Sequence, residues 1–81
     1  MRVECIESLI ACNREIEFTY LGSRYSITYF EENNKKYISV CEFYKKVINV
    51  QTVSDVLKIK IGLLTLKEIF AKLPDSAFDI Y

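Results

Sequence analysis

The chain contains no histidine, which removes the commonest general base and the usual partner of a serine or cysteine nucleophile. Glycine is nearly as scarce. Gly22 and Gly62 are the only two, far apart in the chain, so no glycine-rich loop exists to cradle a phosphate. Net charge is missing as well, because eleven basic residues balance eleven acidic ones. A general nucleic-acid binder carries a cationic surplus, so DNA and RNA are not expected partners unless Lys35, Lys36, Lys45, Lys46, Lys58 and Lys60 gather on one side. The three cysteines match no zinc spacing, since no pair is separated by two to four residues. On a helix, Cys5 and Cys12 stand ~10 Å apart along the axis, beyond the ~7 Å Cα limit of a disulfide. Free thiols are expected, with no metal and no other cofactor. Arg2, Glu4 and Glu7 interrupt the N-terminus, so neither a signal peptide nor a membrane span is expected. The expected location is the cytoplasm.

What the chain has is apolar side chains: 51% of its residues are hydrophobic and 14% aromatic, a composition that folds. At 81 residues it forms one domain, 1–81, with one core, and buries only about 60–65% of the surface its unfolded form exposes. Residues 15–42 are its most informative stretch. EIEFTYL and RYSITYFE flank Gly22-Ser23, a two-residue hairpin signal. Closing the turn there pairs Tyr20 with Tyr25, Phe18 with Ile27 and Ile16 with Tyr29, all on one face. The other face receives Thr19 with Ser26, Glu17 with Thr28 and Glu15 with Phe30. Asn33-Asn34 suits a type I′ turn, because asparagine tolerates the left-handed region. Glu32 then faces Lys35 and Glu31 faces Lys36, pairs worth roughly 0.2–1 kcal/mol each. Ile38 and Val40 join the apolar face, opposite Tyr29 and Ile27.

Around this meander the periodicity changes. Val3, Ile6, Leu9, Ile10 and Asn13 recur at helical spacing, which predicts a helix over 2–13. Strands are predicted at 15–21, 24–31 and 36–43, and a short fourth strand is placed at 47–50. Thr52 with Asp55 resembles a cap and opens a helix over 53–59. Thr65 and Glu68 form a T-x-x-E capping box for a helix over 66–73, ended by Pro74. Residues 74–81 remain as a tail. The predicted class is α+β: an N-terminal helix, a three-stranded antiparallel meander with room for the fourth strand, and two C-terminal helices packed on one sheet face.

The segments EIEFTYLGSRYSITYF, ISVCEFYKKVI and LKIKIGLLTLKEIF together resemble short uncharacterised proteins of Gram-positive bacteria and their mobile elements. That resemblance implies a compact cytoplasmic domain. It carries no activity, and for a mobile-element protein it suggests a regulator or inhibitor of another protein.

Several side chains are candidates for function, and each has a plainer account. Glu15 and Glu17 share a strand face as a carboxylate pair would, although carboxylates at edges also discourage stray pairing. Cys41, near Lys45 and Lys46, is either a reactive thiol or a half-buried filler. Glu42 falls on the apolar face opposite Tyr25, where with Tyr20 and Tyr44 it would make a polar ligand pocket at the mouth of the sheet. The plainer account is a frayed strand end paired to a lysine. Phe30 and Tyr37 are paired on the outer face beside Glu15, Glu31 and Lys36, an aromatic spot with a polar rim of the kind found at protein contacts. It is equally a hairpin-stabilising pair, worth ~0.5–1.5 kcal/mol. Phe78, Ile80 and Tyr81 make the tail apolar, to dock on its own domain or on the open edge of strand one or strand three of another chain. The expected function is non-catalytic protein binding, to a partner protein or a second copy. A small-ligand site or unusual enzyme built on the tyrosine–glutamate pocket is the alternative.

Overall fold

Helix α1 spans Val3–Ala11 in the computed structural model, which describes residues 1–81. It is shorter than the 2–13 predicted, because Asn13 does not continue the stripe but ends it. Asn13 adopts φ 56°, its N–H donates to the Ile10 carbonyl and the Arg14 N–H donates to the Leu9 carbonyl, both at 3.0 Å. This is the paired closure of a Schellman cap, with asparagine in the place glycine usually takes.

Strands β1 (Ile16–Tyr20), β2 (Ser23–Glu32), β3 (Lys35–Glu42) and β4 (Val47–Val50) follow as an antiparallel meander. The β2–β3 register is the predicted one throughout, from Glu32 opposite Lys35 to Tyr25 opposite Glu42, and the fourth strand lies where it was placed. The β1–β2 register differs. Phe18 pairs with Tyr25 and Ile16 with Ile27, because the turn is Leu21-Gly22, at φ 49° and 77°, rather than Gly22-Ser23. Positive φ at both positions is the type I′ requirement, and a leucine meets it under strain. Moving the turn by one residue changes each pairing by two. The faces are therefore preserved, and Phe18, Ile27 and Val40 remain together in the core.

Beyond β4, helix α2 (Val53–Lys58) is capped by the Thr52 hydroxyl, which accepts from the Asp55 N–H at 3.1 Å. Helix α3 (Leu66–Lys72) has the full capping box: Glu68 N–H donates to Thr65 Oγ1 at 3.3 Å, and Thr65 N–H donates to Glu68 Oε1 at 3.0 Å. That hydrogen bond holds the Glu68 carboxyl below its usual range. Between the helices lies a two-stranded ladder that the sequence reading missed, β5 (Lys60–Ile61) with β6 (Leu64–Thr65). Gly62 turns it at φ 64°.

The larger correction concerns residues 74–81. They are not a loose tail: after a 3₁₀ turn at Asp75–Ala77, strand β7 (Phe78–Ile80) pairs antiparallel with β1. The sheet thus has five strands in the order β4-β3-β2-β1-β7, not three or four. The edges of β1 and β3 are filled by the chain's own β7 and β4, so neither is open to a partner strand. One sheet face carries all three helices. Ile6 and Ile10 of α1, Val56 of α2, and Leu66, Ile69 and Phe70 of α3 meet Ile16, Phe18, Tyr25, Ile27, Ile38, Val40 and Phe78 in a core with no buried polar residue.

The strained turn gives a direct test. Leu21 is 84% exposed, so its side chain contributes no packing to offset its left-handed backbone. Leu21→Asn creates the Asn-Gly pair that type I′ turns favour and is expected to stabilise by about 0.5–1 kcal/mol. For a domain this small each kcal/mol moves the thermal midpoint by about 4–8 °C, and calorimetry that found no increase would contradict the turn assignment.

Candidate functional site

Strand alternation sends Glu17, Thr19, Arg24, Ser26, Thr28, Phe30, Tyr37, Ser39, Cys41, Val47, Asn49 and Asp79 to the face away from the helices. No element covers this outer face. It divides into a charged end and an aromatic end.

At the charged end Arg24 is the organising group. Its guanidinium donates to Glu17 Oε1 at 3.1 and 3.3 Å, to Thr19 Oγ1 at 2.9 Å, and to the Asp79 carboxylate. The bond to Asp79, then the bond to Glu17, raise the guanidinium above its ordinary value. The cluster ties β1, β2 and β7 together across the outer surface. Glu17 is therefore an ion-pair partner of Arg24. The sequence reading missed this cluster because its register set Arg24 opposite Leu21.

At the aromatic end Phe30 and Tyr37 are directly paired, and their rings stack at 5.0 Å with planes 15° apart. Phe30 is 38% exposed and Tyr37 half-buried. A groove of about 620 Å³ opens at this end of the sheet, between the end of α1 and the start of α2, and Glu15, Tyr29, Phe30, Glu31, Lys36 and Tyr37 line it. Glu15 precedes β1 and the shifted register sets it level with Thr28 rather than Phe30, yet it still borders the groove with the aromatic pair. The Tyr29 hydroxyl donates to the Arg14 carbonyl at 2.7 Å. Burial first, and the Glu15 carboxylate second, push its phenol up to about 12.

The predicted tail contacts are distributed otherwise. Phe78 is buried against Phe18 and Phe70, and Ile80 is half-buried beside the core. Both take part in the domain's own packing, Phe78 wholly and Ile80 in part. Tyr81 is exposed, although its N–H donates to the Glu15 carbonyl at 2.9 Å.

The pocket predicted at the mouth of the sheet is half assembled. Tyr25 and Glu42 line a cavity of about 220 Å³ with Lys46 and Lys60. Burial, then the Glu42 charge, raise the Tyr25 phenol above its usual value, while Lys45 pairs with Glu42 at 3.4 Å. Tyr20 and Tyr44 do not join them. Tyr44 is fully exposed at φ 64° in the β3–β4 connection, and Tyr20 packs on the core at the end of β1.

The remaining candidates separate as well. Cys5 and Cys12 are exposed rather than packed, and all three cysteines are free thiols. Cys41 is half-buried, its thiol 3.2 Å from the Glu42 carbonyl. Lys35 and Lys36 begin β3 while Lys45 and Lys46 follow its end, roughly 20–25 Å away, so the lysines do not gather into one basic patch. No cluster of three potential metal ligands occurs, and no helix is long and apolar enough to cross a membrane. No known family model, curated protein or solved structure matches the chain.

Tyr29 supplies the test of this geometry. Its folded-state pKa lies above the ordinary value of 10, so folding favours the protonated phenol. The stability it contributes is complete below pH ~10 and is lost as pH rises toward ~12. Tyr29→Phe is expected to blunt the fall in stability over that window, read by urea unfolding at stepped pH. An alkaline profile identical to the wild type would contradict the buried placement beside Glu15.

Proposed function

We propose that the domain is a non-catalytic protein-binding module whose contact surface is the uncovered outer face of the sheet, centred on Phe30 and Tyr37. The observation that carries this reading is the stacked pair itself, Phe30 exposed and Tyr37 half-buried on a face with no covering element. A rigid aromatic pair adds contact area with little entropy left to lose, and rimmed by Glu15, Glu31 and Lys36 it has the apolar centre and polar border of a protein contact. Phe43 and Val47, 37% and 51% exposed, lie toward the charged end of the face and are separated from the pair by Thr28, Ser39 and Asn49.

The absence of histidine and the scattering of the titratable groups favour binding over catalysis. The tyrosine–glutamate cavity is the weaker reading, since about 220 Å³ falls below the ~300–1,000 Å³ usual for small-molecule sites. The resemblance of three segments to mobile-element proteins of Gram-positive bacteria gives the proposal its specific form: a cytoplasmic regulator or inhibitor of another protein.

Affinity capture with the purified domain, alongside the Phe30→Ser/Tyr37→Ser double variant, tests the patch. The aromatic pair lost as a unit is expected to cost at least about 2 kcal/mol, so the double variant should bind a captured partner at least about thirtyfold more weakly while its circular dichroism stays native. Undiminished capture would refute the patch. Retention on a polyanion column that falls steeply with salt would instead point to nucleic acid.

A further inference from the structure

The five-stranded sheet has two free edges, and their chemistry differs. β7 presents three residues with a carboxylate, Asp79, at the middle. Short length and charge are the usual protections of an edge. β4 presents Val47, Ile48, Asn49 and Val50, with no charge and no proline, and three of the four are β-branched. Its four-residue length is the only protection it has.

Which backbone groups β4 leaves free follows from its pairing with β3. The Glu42 N–H donates to the Lys46 carbonyl at 3.3 Å, which marks Glu42 and Lys46 as a hydrogen-bonded pair. Alternation along an antiparallel ladder then turns the amides and carbonyls of Ile48 and Val50 toward β3. Those of Val47 and Asn49, both exposed residues, point out of the sheet.

We propose that this edge is a self-association site, in which two copies of the chain pair β4 with β4 antiparallel about a two-fold axis at Ile48. That register sets Val47 of each copy opposite Asn49 of the other and satisfies all the outward amides and carbonyls of β4 with inter-chain hydrogen bonds. It keeps core-face side chains beside core-face side chains, because Ile48 meets its own counterpart. The flanking charges also fit: Lys46 falls opposite Val50 and Lys45 opposite Gln51, so the lysines of the two copies lie at opposite ends. Sliding the strands toward their N-termini would bring those lysines face to face. The contact is isologous and uses the one edge without a charge of its own, so assembly closes at a dimer of ten sheet strands and does not grow into a filament. It is separate from the Phe30–Tyr37 patch and holds or fails without it.

Sedimentation over about 1 µM to about 1 mM reads the equilibrium. The expected result is a concentration-dependent dimer. Asn49→Pro removes an outward donor at an edge position where proline is tolerated, and Val47→Lys adds a guarding charge. Each should weaken association at least about tenfold with unchanged circular dichroism, whereas Phe30→Ser/Tyr37→Ser should dimerise as the wild type does. In a Cys5→Ser/Cys12→Ser/Cys41→Ser background, Ile48→Cys should form a covalent dimer on mild oxidation, because opposed residues of a non-hydrogen-bonded pair lie ~4.5 Å apart at Cα, within disulfide range. Asn49→Cys should not. A monomer across the whole range, or a dimer that neither Asn49→Pro nor Val47→Lys weakens, would overturn the proposal.

Discussion

The ring of Phe18 is the point on which this fold closes. It stacks on Tyr25 at 5.1 Å, meets Phe70 edge-on at 5.2 Å and touches Phe78 at 6.0 Å, and it is fully buried. Those neighbours come from β2, from α3 and from β7, so one side chain in β1 joins the first hairpin to the last helix and the last strand. In a domain this small, aromatic burial of this kind supplies much of what opposes chain entropy. The β1–β2 register follows from it. With Gly22-Ser23 as the turn, Phe18 would face Ile27 and Tyr25 would face Tyr20. With Leu21-Gly22 the two rings stack and Arg24 reaches Glu17, Thr19 and Asp79. The packing outweighs the backbone strain at one exposed leucine.

How far the sequence discloses the structure depends on sequence separation. The β2–β3 register is legible because its determinants are local: Asn33-Asn34 fits a type I′ turn and two glutamates oppose two lysines across it. The same holds for the Thr65 and Glu68 box and for Phe30 with Tyr37, an adjacent cross-strand pair. β7 is different, because Phe78, Asp79 and Ile80 carry no periodicity of their own. Their strand exists only against β1, some sixty residues earlier in the chain. The Arg24 cluster is hidden for the same reason, since Asp79 arrives with that strand. The β5–β6 ladder is hidden by brevity: two residues on each side of a turn give no alternation to read, and Gly62 there looks like a helix stop.

Helices on one face and none on the other leave the sheet with a dry side and an open side, and the chain treats the two ends of the open side differently. Arg24, Glu17 and Asp79 saturate one end with ion pairs, a surface that water already satisfies. The Phe30–Tyr37 end has no such solvation. An exposed aromatic stack beside a groove is the part of this surface that gains most from being covered.

Pairing through β4 would act on that surface without adding a contact to it. A two-fold axis perpendicular to the sheet keeps both outer faces on the same side, so the two Phe30–Tyr37 pairs would look in one direction. Tyr37 lies level with Gln51, three residues past Ile48, and three strand spacings separate the two Tyr37 positions. These displacements put the pairs roughly 25 Å apart. A dimer of that form presents two identical patches at fixed spacing, and a partner offering two copies of its own epitope at that distance would be held by both. The second contact is then intramolecular, and avidity can exceed the single-site affinity by about 10²–10⁴. A weak aromatic contact on a small domain gains its strength in this arrangement from the sheet edge beside it.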